Sequence, residues 1–153
     1  MTTEYVLGGS TLLILVLIIF LAVASYVGFI VISKDSESRN KEFAVFLMNN
    51  ANEIMNGAGA RFDGYLYTGA TQIKSYSMCI SYLVMTSWRS TAYVPVDADN
   101  NYGVLTFLIT LFGGWWGFPW GPIRTIETFV KNAGHKNVIT VGQLIFSLYN
   151  QAN

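Results

Sequence analysis

Apolar positions along the chain fall into distinct regimes. Leu12–Ile32 is an unbroken run of 21 residues without a charge. As a helix it spans about 31 Å, the hydrocarbon thickness of a bilayer, and it predicts a transmembrane helix. From Asp35 to Asn56 the pattern becomes periodic. Phe43, Phe46, Leu47, Ala51, Ile54 and Met55 share one side, and Asn49, Asn50, Asn52 and Glu53 take the other, which predicts a second, cytoplasmic helix. Asp35 or Ser36 is expected to cap it, and Gly57 and Gly59 to end it. Phe62–Pro95 then turns rich in Tyr, Val, Ile and Thr, as two or three antiparallel strands with a hairpin near Trp88–Thr91 would be.

The next apolar run is punctuated. Gly103–Phe118 is 16 residues, about 24 Å as a helix, too short for a full crossing. Gly113-Gly114 invites a break, and Pro119 and Pro122 do not sit in an undisturbed helix interior. Extending the run to Ile123 gives a 20-residue span but strands Arg124, Lys131 and Lys136 on the far side. A re-entrant or interfacial helical hairpin instead keeps all nine Lys and Arg residues on one side, and is the arrangement expected; the full crossing is the alternative. Trp115, Trp116, Phe118 and Trp120 then anchor its turn near the headgroups. Two amphipathic helices follow. One starts near Pro122 and has Ile123, Ile126, Phe129 and Val130 as its apolar side. The other is capped by Thr140 and has Val141, Leu144, Ile145 and Leu148. Both are expected to lie in the membrane plane or against a neighbour.

These regimes give an α+β membrane protein in three parts: residues 1–33, a transmembrane helix; 34–102, a small cytoplasmic α/β segment; and 103–153, a membrane-associated Trp-rich hairpin with amphipathic C-terminal helices. Within the first helix, Ala22, Ala24, Ser25 and Gly28 form a small-residue patch suited to close helix–helix contact.

Composition agrees with a membrane setting. Charged residues are 12% of the chain, about half the usual share, and hydrophobic residues 52%. Net charge is zero, which argues against nucleic acid as a partner. No basic residue precedes the first helix, whereas Lys34, Arg39, Lys41 and others follow it. The N-terminus is therefore expected outside and the bulk of the chain in the cytoplasm, at a bacterial inner membrane. The apolar stretch is too long for a signal peptide and lacks a basic flank and an A-x-A site, so it is expected to remain as an anchor.

Little of the chain points to catalysis. There is no nucleophile elbow, P-loop or paired metal-ligand spacing, and Cys79 is the only cysteine. His135 lies in a polar loop. Glu37, Glu42 and Glu53 read as solvated helix surface. Asp97–Asn101 lacks the glycine and downstream glutamate of a calcium loop. No charge lies within Leu12–Ile32 or Val104–Ile123, so the usual mark of an ion path is missing. No cofactor or metal is expected, with a bound lipid possible; a lipid, quinone or pigment against the Trp-rich turn is the alternative left open. Glu4 before a long apolar helix resembles type IV pilins, but the polar stretch Ser33–Arg39 departs from that pattern.

Tyr76–Thr125 resembles a group of small uncharacterised bacterial membrane proteins. The resemblance rests on Cys79-Ile80-Ser81, Trp88-Arg89 and, above all, Gly114–Ile123, which matches a G-W-W-G-I/F-P-W-G-P-I motif. Members often carry an upstream zinc-ribbon-like segment, which this chain lacks. The resemblance implies an architecture and carries no catalytic residue. The expected role is a non-enzymatic accessory or scaffold subunit of a larger integral membrane complex, with other membrane subunits and lipids as partners. The alternative is a stand-alone lipid-binding or membrane-shaping protein.

Overall fold

The computed structural model describes residues 2–82, 85–98, 101–117, 119–134 and 137–152. It is an α+β protein with a long apolar N-terminal helix and small antiparallel sheets. Helix α1 runs unbroken from Thr2 to Asn49, 48 residues or about 72 Å. Its apolar part is long enough to cross a membrane by length and composition. The two helices expected on either side of Ser33 are therefore one. The physical reason is local: nothing between Phe29 and Asn49 is Gly or Pro. The polar stretch is also laced by helix-favouring pairs, with Lys41 bound to Glu37 at 2.8 Å in the stabilising order. Ser36, expected as a cap, is instead buried in mid-helix.

A short α2 (Ala51–Met55) follows, and Gly57 leaves it at φ 86°. Strands β1 (Ala60–Phe62) and β2 (Tyr65–Tyr67) form a hairpin. Asp63 and Gly64 both have positive φ there, as a two-residue type I′ turn requires. Strand β3 (Gln72–Lys74) lies between β6 (Val94–Pro95) and β7 (Val138–Thr140), antiparallel to both. Strands β4 (Ser77–Tyr82) and β5 (Met85–Ser90) form a separate hairpin. The chain reverses between Tyr82 and Met85, not near Trp88–Thr91, because Trp88, Arg89 and Ser90 are paired strand residues opposite Cys79, Met78 and Ser77. Helices α3 (Tyr102–Gly113), α4 (Trp120–Ala133) and α5 (Val141–Ala152) complete the chain.

Two cores form. The first gathers Phe43, Leu47, Ile54, Tyr67, Ile73, Val141 and Ile145. Phe43 and Tyr67 pack with ring centroids 5.0 Å apart. Leu47, Ile54 and Ile73 are fully buried, each worth about 1.5–3 kcal/mol relative to exposure. Thr140 caps α5 reciprocally with Gln143: Gln143 N donates to Thr140 Oγ1 (3.2 Å) and Thr140 N to Gln143 Oε1 (3.0 Å). The apolar face of α5 thus covers the apolar face of α1 and α2. It is not left for a membrane or a neighbour, which corrects the expectation for Val141–Leu148. Two stripes that each lacked a cover in the sequence cover one another. The second core is smaller: Phe29, Ile32, Met78, Ile80 and Ile109.

Candidate membrane interface

The second core continues into an unusual interior. Strand β4 is buried along Ser77–Ser81, with α1, α3 and α4 packed on it. The residues that α3 buries are Thr106, Ile109, Thr110 and Gly113, and those that α4 buries are Gly121, Thr125 and Thr128. Small and hydroxylated residues therefore fill the space between these elements. Their polar groups mostly find partners within the fold. Thr106 Oγ1 donates to Tyr102 O at 2.6 Å, and Thr128 Oγ1 to Arg124 O at 2.7 Å. On α1, Ser25 Oγ donates to Leu21 O at 2.8 Å.

The free edge of β4 is closed by side chains. Cys79 N donates to Thr110 Oγ1 (3.1 Å). The Asn132 amide takes Ser77 N on its oxygen and gives its NH₂ to Ser77 O, both at 2.7 Å. One asparagine thus does what a neighbouring strand residue would do. Lys74 Nζ then donates to Asn132 O at 2.9 Å, tying α4 to the first core.

The outside of α3 is apolar, and that of α4 carries apolar side chains beside one ion pair, Arg124–Glu127 at 2.7 Å. Phe107, Leu108, Ile123, Ile126 and Val130 are all exposed, Val130 by 68%. Ile123, Ile126 and Val130 were read correctly as one side of the helix. The structure turns that side outward; Phe129 packs on Phe107 with tilted rings, centroids 4.9 Å apart.

Helices α3 and α4 form a hairpin across the Trp-rich turn. Its closeness depends on glycine. A Cβ on Gly121 would lie 2.6 Å from Gly114 O, and one on Gly114 would overlap Thr125 Oγ1. Trp115, Trp116 and Trp120 project from this turn, 43%, 46% and 57% exposed. Trp116 Nε1 donates to Phe112 O. Phe118 lies outside the described residues, as does His135.

Of the small-residue patch on α1, Ser25 is buried against Gly113, and Gly28 faces Ile109. Ala22 is half-buried and its carbonyl accepts from Tyr82 Oη at 3.3 Å; Ala24 is exposed. Two of the four residues therefore meet a helix of the same chain, α3. The threonines that build the interior were missed in the sequence. Their signal was present, since Thr106 and Thr110 are four apart and Thr125 and Thr128 three apart, each pair on one helix face. The end of β4 lies beside α1, where Tyr26 and Tyr82 meet edge to face at 5.6 Å.

The chain matches no protein-family model, no curated protein and no solved structure.

Proposed function

We propose that this chain is a non-enzymatic accessory subunit of a larger integral membrane complex. In this reading α1 crosses the bilayer and the α3–α4 hairpin dips into the leaflet on the side of the first core. The observation that carries it is the reversed packing of the hairpin, with threonine and glycine inside and Phe107, Leu108, Ile126 and Val130 outside. That is the arrangement expected where the surroundings are as apolar as the side chains, and where small residues let backbones approach.

Helix α1 gives the reading its scale. Leu12–Phe20 is exposed on every side, from 39% to 71%. In water that would forfeit on the order of 10 kcal/mol, as much as a typical domain's whole stability. The charges that bracket the apolar stretch are Glu4 and Lys34. Thirty residues of helix span about 45 Å, matching a bilayer with its headgroups. All nine Lys and Arg residues follow that stretch, which supports an outside N-terminus and a cytoplasmic first core at a bacterial-type inner membrane. Gly113, just before the Trp-rich turn, packs on Ser25, and Tyr26 meets Tyr82 one residue farther on, so in this reading the tip of the hairpin is anchored within the leaflet below the headgroups.

A partner is supported by strand β5. All six of its residues are exposed. Because Ser77 and Cys79 direct their N–H groups away from β5, the register turns the backbone of Thr86, Trp88 and Ser90 outward as well. An unpaired strand edge does not persist in hydrocarbon, so another subunit is the natural cover. A stand-alone lipid-binding role accounts for the apolar face of α4 but leaves this edge open. Extraction in mild detergent, followed by native electrophoresis and mass spectrometry of the particle, tests the proposal. Co-migration with other membrane chains is expected; migration at monomer mass with no companion would sink it. Topology is read after Cys79→Ser by single cysteines at Ser38 and Gln151. Both should be labelled from the cytoplasmic side.

A further inference from the structure

A groove of about 660 Å³ runs between α1 and β5. At one end it is lined by Lys34, Lys41 and Arg89, with Glu37 as the one acid among the lining residues, so cations outnumber it. Lys41 is held by Glu37 at 2.8 Å. Among the described residues, neither Lys34 nor Arg89 has a carboxylate within ion-pair distance. Two cations, one of them a guanidinium suited to paired contacts with phosphate oxygens, therefore line the groove without an ion-pair partner, and Glu37, which also feels Arg89, is the one carboxylate among its lining residues.

The other end is apolar. Phe29 and Ile30 line it, and a second, separate groove of about 460 Å³ lies farther along the helix between Ile19, Val23, Tyr26 and Tyr82. Ile19, Val23, Tyr26, Ile30, Lys34, Glu37 and Lys41 recur at three- and four-residue spacing, so the two grooves share one face of α1. The β4–β5 hairpin forms the opposite wall, with Arg89 at the charged end and Tyr82 at the apolar end. From Lys34 to Ile19 the helix rises about 22 Å, half the thickness of a bilayer with its headgroups. Ile19 is also the midpoint between Glu4 and Lys34.

We infer that this groove is a binding site for one anionic phospholipid of the leaflet next to the first core, its phosphate held by Lys34 and Arg89 and an acyl chain laid along Ile30, Tyr26 and Ile19. The inference rests on the reading that α1 spans a membrane. Charge selects the headgroup, and the apolar groove at leaflet depth selects a lipid over a free phosphate. Glu37 opposes the ligand, and its bond to Lys41 ties up the third cation of the cluster.

The test uses the full chain in nanodiscs containing equal amounts of phosphatidylglycerol and phosphatidylcholine, with lipids retained after detergent extraction counted by native mass spectrometry. One phosphatidylglycerol per chain is expected, in preference to phosphatidylcholine. The double variant Lys34→Gln/Arg89→Gln should lose that preference by roughly tenfold or more, given what each basic residue contributes near an anionic surface. Glu37→Gln should strengthen it, a gain that misfolding cannot mimic. Equal retention of the two lipids, or a preference unchanged in the double variant, would overturn the site. Displacement of the phosphatidylglycerol by millimolar inorganic phosphate would overturn the lipid assignment and leave a phosphate site. Resistance of the chain to alkaline extraction from membranes is scored separately. Release at that step refutes the membrane reading itself, whereas loss of lipid selectivity in a chain that stays in the pellet refutes only the groove.

Discussion

Leu47 and Ile126 are both aliphatic residues on helices with one apolar side, and the fold treats them in opposite ways. Leu47 is fully buried beneath α5 and β3, in a core of close-packed apolar side chains. Ile126 stands 55% exposed on a helix that hides threonines. The first region is built as soluble proteins are: apolar side chains leave water and their burial stabilises the fold. The second gains nothing by hiding its aliphatic residues, because in the proposed setting lipid covers them. It is held by close backbone approach at Gly114 and Gly121 and by hydrogen bonds such as Cys79–Thr110 and Ser77–Asn132. Side-chain chemistry alone does not say which way a helix faces; the medium around it decides.

The contrast makes unequal demands on substitutions. The largest effect is expected at Leu47→Ala, which opens a cavity in the water-facing core and should cost about 2–5 kcal/mol in denaturant unfolding. A loss below about 1 kcal/mol would mean that this core is not the tightly packed one described. Next comes Ile126→Lys. It removes no buried contact, so unfolding in detergent should shift little, yet insertion into membranes should weaken by about 2 kcal/mol. Unchanged membrane retention would place α4 in water and undo the contrast. Thr110→Val keeps the shape but leaves Cys79 N–H without its acceptor, at a cost of about 1–2 kcal/mol, read by thermal melting in detergent. A neutral result would show that the hydroxyl network does not hold the hairpin.

A further effect appears only in alkali. Burial pushes the Tyr67 hydroxyl up from 10.0 to about 12, with nearby Asp63 adding to the shift. The folded value exceeds the unfolded one, so the neutral phenol's contribution is complete below pH 10 and is lost as pH rises toward 12. Denaturation midpoints at pH 9, 11 and 12 should fall in that window, and Tyr67→Phe should remove that part of the fall.

Much of this architecture was legible in the residues. The apolar run of α1, the Thr140 start of α5 and the placement of Pro122 in the first turn of α4 follow from local chemistry, and the structure has them. The hairpin turn at Asp63-Gly64 also has its local signal, the Asp-Gly dipeptide that favours positive φ at both positions. Other features were not legible. Ser33–Arg39 is polar, and polarity alone does not break a helix; Gly, Pro or a competing cap does. The mutual cover of α5 and α1 joins residues about a hundred positions apart, which periodicity cannot pair. The outward face of Ile123–Val130 depended on how close Gly114 and Gly121 bring two backbones. The charged end of the α1–β5 groove combines Lys34 and Arg89, 55 positions apart in sequence.

The continuity of α1 has a mechanical consequence. A helix without a joint behaves as a shaft, and its angular phase is fixed from end to end. Ser25, Phe29 and Ile32 face the α3 side, while Phe43 and Leu47, farther along the same stripe, face α5. Each added residue advances the phase by about 100°. One alanine inserted after Ser38 would therefore twist one set of contacts out of register with the other, although no contact residue is changed. A torque applied to the apolar end by a neighbouring helix would, by the same linkage, reach the first core as rotation.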